Sequence, residues 1–263
     1  MHLGSALLAA CGVMGIWTPA LAQRSKDRAR LVFTVSGAYI QGSGLWNVPQ
    51  QPLQELPPPD TLFLNRSISP SLGFGLSGSY FPGENLGLTA DAFLIGLGYD
   101  DSCRLVAPES SLRNAEVCSS INSQDKSAAA VVLSAGGLVR IASREFISPF
   151  FRASAGLLFS NQSSVITSGT SPSNGGALLV IYDDEKRSSI RPAFALSAGA
   201  TMAVSKGYHV RAEVRDNIVG IDRVTGSTTA ARLIPPHETT FKHLFSILLG
   251  VDIILERQRG RRY

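Results

Sequence analysis

The sequence has few charged residues and no long apolar run beyond its N-terminus. Asp, Glu, Lys and Arg together make up 17% of the 263 residues, whereas about 25% is usual in soluble domains. After the N-terminal segment, no apolar run reaches the ~18 residues that a membrane-spanning helix needs. A chain of this composition that enters a membrane therefore enters it as strands.

The N-terminus has the pattern of an export signal. The apolar stretch "LGSALLAACGVMGIW" is broken by Pro19, and Ala20-Leu21-Ala22 offers a cleavage site before Gln23. We therefore predict a signal peptide at 1–22 and an exported mature chain. Two alternatives remain open: lipidation at Cys11, which Leu8-Ala9-Ala10 precedes as in a lipobox, and a buried N-terminal helix.

Cysteine is scarce, and this limits the chemistry of the exported part. Of three cysteines, only Cys103 and Cys118 follow the predicted cleavage site. An even number in an exported chain predicts a disulfide. The alternative, two free thiols, fits an oxidising compartment less well.

The stretch "GFGLSG" (Gly73–Gly78) matches the glycine pattern of a dinucleotide-binding turn, which requires a helix to follow it. Leu72, Phe74 and Leu76 alternate here with small residues, which is the period of a strand. Pro82 and Gly83 would also interrupt a helix within about two turns. The sequence therefore favours a strand and argues against nucleotide binding.

The same alternation recurs in eight segments. They begin near Leu31, Leu72, Leu86, Leu133, Phe151, Phe194, Tyr208 and Phe245. Their connections alternate in length. Three are short, and four are long: 41–67, 100–126, 160–189 and 220–240. Short periplasmic turns and long outer loops are typical of bacterial outer-membrane barrels.

We therefore predict an all-β fold, an eight-stranded antiparallel up-and-down transmembrane β-barrel at 31–255. The glycine- and serine-rich face would line the lumen. Six aromatic residues near strand ends are expected at the membrane interfaces: Tyr39, Tyr80, Tyr99, Phe151, Phe159 and Tyr208. Segments 23–30 and 256–263 each carry a net charge of +3, and we place both in the periplasm. They account for much of the basic pI of 9.1, which gives little support to nucleic-acid binding.

The last segment contains Gly250-Val-Asp-Ile-Ile-Leu255, which is similar to the C-terminal assembly signal of outer-membrane proteins. With the loop order and polarity pattern, it makes the chain resemble the small eight-stranded outer-membrane barrels (OmpA-, OmpX- and OmpW-like). Such proteins often end on Phe, whereas here "ERQRGRRY" follows. The resemblance implies outer-membrane lipids, lipopolysaccharide and the barrel assembly machinery as partners, and implies no cofactor.

Charged residues share one face of the segment after Tyr208. His209, Arg211, Glu213 and Arg215 alternate with apolar residues, and a midplane Arg facing lipid costs about 2–4 kcal/mol. We therefore place them in the lumen, where buried charges need partners. The candidate partners on other strands are Asp91, Arg140, Arg152 and Asp252. This network is either a structural plug or a selectivity or proton path.

Catalytic signals are weak. His209, His237 and His243 are the histidines of the mature chain, and no spaced serine or acid stands out beside them. We therefore predict no enzyme, no metal site and no cofactor.

Two functions remain open: a structural or surface-interaction barrel acting through its outer loops toward an unknown ligand, or a narrow channel for small or apolar solutes. The apolar segment Gly176–Arg187 either extends a hairpin or folds inward.

Overall fold

A computed structural model describes residues 30–53, 60–106, 112–123, 125–126, 128–143, 145–184, 189–205, 207–229 and 233–255. The predicted signal peptide, Cys11 and the tail 256–263 lie outside these residues, as does the basic segment 23–30 except for Arg30. Within the described ranges, no helix is long and apolar enough to cross a membrane.

These residues form fourteen strands and one α-helix. In chain order they are β1 (Arg30–Ile40), β2 (Ser43–Leu53), β3 (Asp60–Ile68), β4 (Ser71–Phe81), β5 (Leu86–Gly96), β6 (Tyr99–Leu105), α1 (Leu112–Asn122), β7 (Asp125–Lys126), β8 (Ala129–Arg140), β9 (Ile147–Ser160), β10 (Thr167–Ser171), β11 (Ala177–Tyr182), β12 (Ser189–Ser205), β13 (Tyr208–Val224) and β14 (His237–Leu255). A single 3₁₀ turn, Pro172–Asn174, precedes β11.

Eight strands close into an antiparallel barrel in the order β1-β14-β13-β12-β9-β8-β5-β4. The ring is sealed because β1 pairs with both β14 and β4. The predicted fold class is therefore confirmed. The alternating pattern also lies as expected, because Leu72, Phe74 and Leu76 are exposed on the outside while Ser77 is buried inside.

The inward-facing glycines are explained by close contacts between strands. A Cβ atom at Gly136 would lie 2.0 Å from the carbonyl oxygen of Ala153, and one at Gly156 would lie 2.0 Å from that of Leu133. Such distances are far inside van der Waals contact, so the inner wall of this narrow barrel requires glycine at these positions. The "GFGLSG" stretch is β4 of the barrel and opens no helix.

The four long connections are folded, which the sequence did not predict. Strands β2, β3, β6 and β7 form one sheet and β10 and β11 form another, both in the connections at the end of the barrel opposite Arg30 and Leu255. Helix α1 packs against β6 and β10. We call this assembly of β2, β3, β6, β7, β10, β11 and α1 the cap. The segment Gly176–Arg187, left open by the sequence, contributes β11 to the cap.

Candidate functional site

The middle of the lumen is filled by paired charges centred on Glu213 of β13. Arg152 of β9 reaches Glu213 with NH2–Oε1 at 2.5 Å and Asp91 of β5 with NH1–Oδ1 at 2.5 Å. Arg211 donates from Nε to Glu213 Oε2 at 2.9 Å, and Arg215 donates from Nε to Oε1 at 3.1 Å. One carboxylate therefore contacts three guanidinium groups, and all of these side chains are buried.

A second carboxylate, Asp252 of β14, extends the network toward the end of the barrel where β1 begins and β14 ends. Its Oδ1 accepts a hydrogen bond of 2.7 Å from the hydroxyl of Thr34. Arg211 NH1 lies 3.7 Å from Oδ1, and Arg140 NH2 lies 4.0 Å from Oδ2. His209 stands opposite Asp252 in the pairing of β13 with β14. The structure thus places all eight residues of the proposed network on the lumen side.

Apolar layers close the charged layer on both sides. Toward the end of the barrel that carries the chain termini lie four buried side chains, Val32, Phe81, Leu138 and Phe150. The guanidinium of Arg140 lies 3.9 Å from the ring centroid of Phe81, and that of Arg211 lies 4.1 Å from that of Phe150. Stacking of this kind is favourable for a desolvated arginine. The lower layer therefore packs against two of the arginines.

Toward the outside, the lumen becomes a hydrophobic core that continues into the cap. Ile40, Phe93 and Leu244 from barrel strands belong to the same buried cluster as Trp46 and Tyr182 from the cap. Beside the charged layer, a cavity of about 10 Å³ remains. That is roughly the space of one water molecule.

The cap is organised around Arg66 of β3, whose side chain is 0% exposed. Its Nε and NH2 bind Asp101 of β6 at 2.5 and 2.7 Å. Its NH1 and NH2 also donate to the carbonyl oxygens of Ser164 and Ile166, at 2.7 and 2.8 Å. The guanidinium stacks on Trp46 at 5.0 Å. A single buried arginine therefore joins the first, second and third long connections.

Gln51 of β2 brings in the fourth connection. Its Oε1 accepts hydrogen bonds from the hydroxyl of Tyr182 and the backbone N–H of Thr228, both at 2.9 Å. Its Nε2 donates to the Thr228 carbonyl oxygen at 2.9 Å. Burial raises the pKa of Tyr182 well above its usual range. The phenol therefore stays protonated and keeps its role as a donor.

Tyr99 corrects one prediction. We expected it at a membrane interface, but it is buried in the cap, with its ring 5.5 Å from the Arg66 guanidinium. Burial raises its pKa to about 12, and the charge of Arg66 partly opposes this rise. The alternating pattern of β6 resembles that of a barrel strand, but β6 pairs with β3 of the cap.

The predicted disulfide between Cys103 and Cys118 is present and fastens α1 to β6. The side chain of Asn122 supports the joint, because its Oδ1 accepts from the N–H of Cys103 and its Nδ2 donates to the carbonyl oxygen of the same residue. At the exposed side of α1, Glu116 accepts hydrogen bonds from Ser173 and Ser171. These bonds lower the pKa of Glu116, that from Ser173 most.

The candidate catalytic histidines do not converge on one site. His237 contacts the carbonyl oxygen of Pro235 at 3.0 Å. His243 lies on the outer wall, with Nδ1 2.7 Å from Oδ2 of Asp216. Glu238, five positions before His243 in sequence, pairs with Arg223. Among the described residues, no group of three or more His, Cys, Asp or Glu side chains could hold a metal ion.

A closed barrel with apolar side chains outside and charges inside is the reverse of a soluble barrel. This architecture is the one expected of a small eight-stranded outer-membrane β-barrel, and the fold agrees with the predicted resemblance. No protein-family model matches the sequence, and no curated protein matches it.

Several solved structures are similar to the chain. OprG, an outer membrane protein of Pseudomonas aeruginosa, is 8% identical with a TM-score of 0.42, over 88% of this chain and 98% of that one. Neisserial surface protein A is 13% identical with a TM-score of 0.40, over 86% and 97%. The outer membrane protease OmpT of Escherichia coli is 10% identical with a TM-score of 0.33, over 87% and 96%. Absence of enzymatic activity in this chain stays a prediction.

Proposed function

We propose that the protein is a non-conducting outer-membrane barrel that acts at the cell surface through its cap. The observation that carries this proposal is the shared core of lumen and cap. Ile40, Phe93 and Leu244 pack in one cluster with Trp46 and Tyr182. Side chains fill the interior of an eight-stranded barrel, and here the filling continues to the outer surface.

The charged layer supports a structural plug over a selectivity or proton path. An ion that crossed this layer would have to separate Glu213 from Arg152, which lie 2.5 Å apart. Breaking a buried pair of this kind costs about 3–5 kcal/mol. The aromatic rings of Phe81, Phe93 and Phe150 hold the arginines from both sides. These contacts favour a lumen that stays closed.

The cap supports a role in surface interaction. Its long connections are tied together through Arg66 and Gln51 and through the disulfide. A surface held in one conformation loses little conformational entropy when it binds a partner. This arrangement favours recognition by a preformed surface over recognition by loops that order on binding.

Planar bilayer recording of the refolded protein tests the closed lumen. We expect no steady single-channel current from the unmodified protein. Glu213→Ala should open a leak, because it removes the carboxylate shared by three arginines. Val214→Ala, on the lipid-facing side of the same strand, is the matched control and should stay silent. Steady, large currents from the unmodified protein would favour the alternative, a narrow channel for small or apolar solutes.

A further inference from the structure

The apolar outer wall of the barrel differs in height around its circumference. On β1, exposed apolar side chains run from Leu31 to Tyr39, and on β14 they run from Leu255 to Phe241. The lower ends of the two walls are level in register, because Leu31 pairs with Leu255. At the upper end of the wall on β1, Tyr39 pairs with Ile247. The apolar wall of β14 therefore continues for six residues, from 247 to 241, beyond the end of the wall on β1.

Neighbouring strands repeat this difference. Exposed apolar side chains span Leu72–Tyr80 on β4 and Leu86–Leu94 on β5, but Ile190–Val204 on β12. With a rise of about 3.3 Å per residue and a tilt of about 40°, nine residues span about 20 Å and fifteen span about 35 Å. The usual apolar band is about 25 Å tall. One flank is therefore shorter than the band and the other is taller.

A polar pair lies within the tall flank, where β13 carries exposed apolar side chains only from Tyr208 to Val214. Asp216 and His243 face outward there and are hydrogen-bonded to each other at 2.7 Å. Above them Phe241 packs against Phe194, with ring centroids 6.1 Å apart, and beside them Phe245 stacks on His243 at 6.4 Å. The bond to His243 uses Oδ2 of Asp216, whereas Oδ1 is buried without a hydrogen-bond partner. A hydrogen-bonded pair still costs less to surround with lipid than two separate charges.

We propose that the bilayer meets this barrel at two different heights. The hydrocarbon rises along β12 and β14 to Ile190 and Phe241 and encloses the Asp216–His243 pair. On the opposite flank it stops at Tyr39, Leu72 and Leu94. The closed ladder of β1 with β14 and β4 fixes these heights relative to one another. The lipids therefore adjust to the wall, and the short flank selects short or compressed acyl chains.

Tryptophan scanning in vesicles with brominated acyl chains tests this proposal. Tyr39→Trp and Phe241→Trp mark the two upper limits, and Leu31→Trp and Leu255→Trp are the matched controls at the lower limit. Each variant is refolded into phosphatidylcholine with short (myristoyl) or long (oleoyl) chains. Emission of the unmodified protein, whose Trp46 is buried in the cap, is subtracted.

We expect Tyr39→Trp to be quenched in both bilayers. The emission of Phe241→Trp should be weakly quenched in the short-chain bilayer. In the long-chain bilayer its emission maximum should lie at shorter wavelength and its quenching should be strong. Equal behaviour of the two variants would show that the barrel leans, and would overturn the proposal. So would Phe241→Trp that is never quenched, since the hydrocarbon would then end at the Asp216–His243 pair. Loss of quenching in both controls would instead contradict the membrane placement itself.

Discussion

The lumen and the cap are both built around buried arginines, but in opposite ways. In the lumen, several arginines surround one carboxylate, Glu213, and all of them project from regular barrel strands. In the cap, several acceptors surround one arginine, Arg66, and two of them are backbone carbonyl oxygens. The lumen therefore depends on side chains at fixed strand positions, whereas the cap depends on the path of the connections between strands.

The largest expected effect comes from removing the centre of the lumen network. Glu213→Ala leaves Arg152, Arg211 and Arg215 without their shared carboxylate. The free energy of unfolding in vesicles, measured by urea titration, should fall by about 3–5 kcal/mol. Glu116→Ala removes an exposed carboxylate of the cap and is the control, with a clearly smaller effect. Equal losses in the two variants would contradict the central role of Glu213.

Removing the centre of the cap should have a local effect. Arg66→Ala removes the guanidinium that pairs with the buried Asp101, a loss of about 3–5 kcal/mol. We expect this loss to fall on the cap, because the barrel ladders are untouched. Protease added to whole cells should then cut the cap while the barrel remains folded. Arg104→Ala, which removes a guanidinium stacked on Phe63 of the same sheet, is the matched control. Global unfolding of the Arg66 variant would show that the two regions are not separable.

A smaller effect is expected from opening the disulfide. The cysteines are 15 positions apart in sequence, and closing a loop of about that size contributes about 3 kcal/mol. The double variant Cys103→Ser/Cys118→Ser should increase amide hydrogen exchange in α1 and β6 and leave β13 unchanged. Unchanged exchange in α1 would mean that Asn122 and the apolar contacts hold the helix without the bridge.

The smallest effect is expected from one hydroxyl in the cap. Tyr182→Phe removes a hydrogen bond to Gln51 Oε1, which still accepts from the N–H of Thr228. The loss should be about 1 kcal/mol, seen as faster exchange at β11. A loss as large as that of Arg66→Ala would indicate that Gln51 is a second centre of the cap.

Alkaline pH tests the cap through the burial of Tyr99. The pKa of Tyr99 is raised by burial from 10.0 to about 12, so the folded cap favours the protonated phenol. Its contribution to stability is complete below about pH 10 and is lost as the pH rises through about 12. Absorbance of the phenolate in Tyr99→Phe and in the unmodified protein should differ by one late-titrating group. Titration of Tyr99 near pH 10 would contradict its burial.

The barrel could be predicted because alternation is a local signal. Strand β4 shows it directly, since Leu72, Phe74 and Leu76 face out and the residues between them face in. The same rule placed Arg211 and Glu213 inside, because lipid excludes their charges. The distances between the paired charges of the lumen could not be predicted, since they depend on which strands lie across the lumen from one another.

The cap could not be predicted, because its contacts join distant segments. Arg66 and Ser164 are 98 residues apart in sequence, and nothing local links them. One signal was available: Leu62, Leu64, Arg66 and Ile68 alternate in "LFLNRSI", which placed an arginine on the apolar face of a strand. We interpreted most of that stretch as part of the long connection 41–67. Tyr99 was misplaced for the same reason, since strand alternation does not reveal which sheet a strand joins.

The core shared by lumen and cap has a consequence for biogenesis. Ile40 of β1 and Leu244 of β14 belong to the same cluster as Trp46 and Tyr182, and these two strands are the seam at which the barrel closes. Until that seam forms, the apolar contacts that these two strands make with the cap are incomplete. The epitopes displayed to the cell's surroundings should therefore mature only after closure, so that an antibody against the folded cap would report completed insertion of the chain.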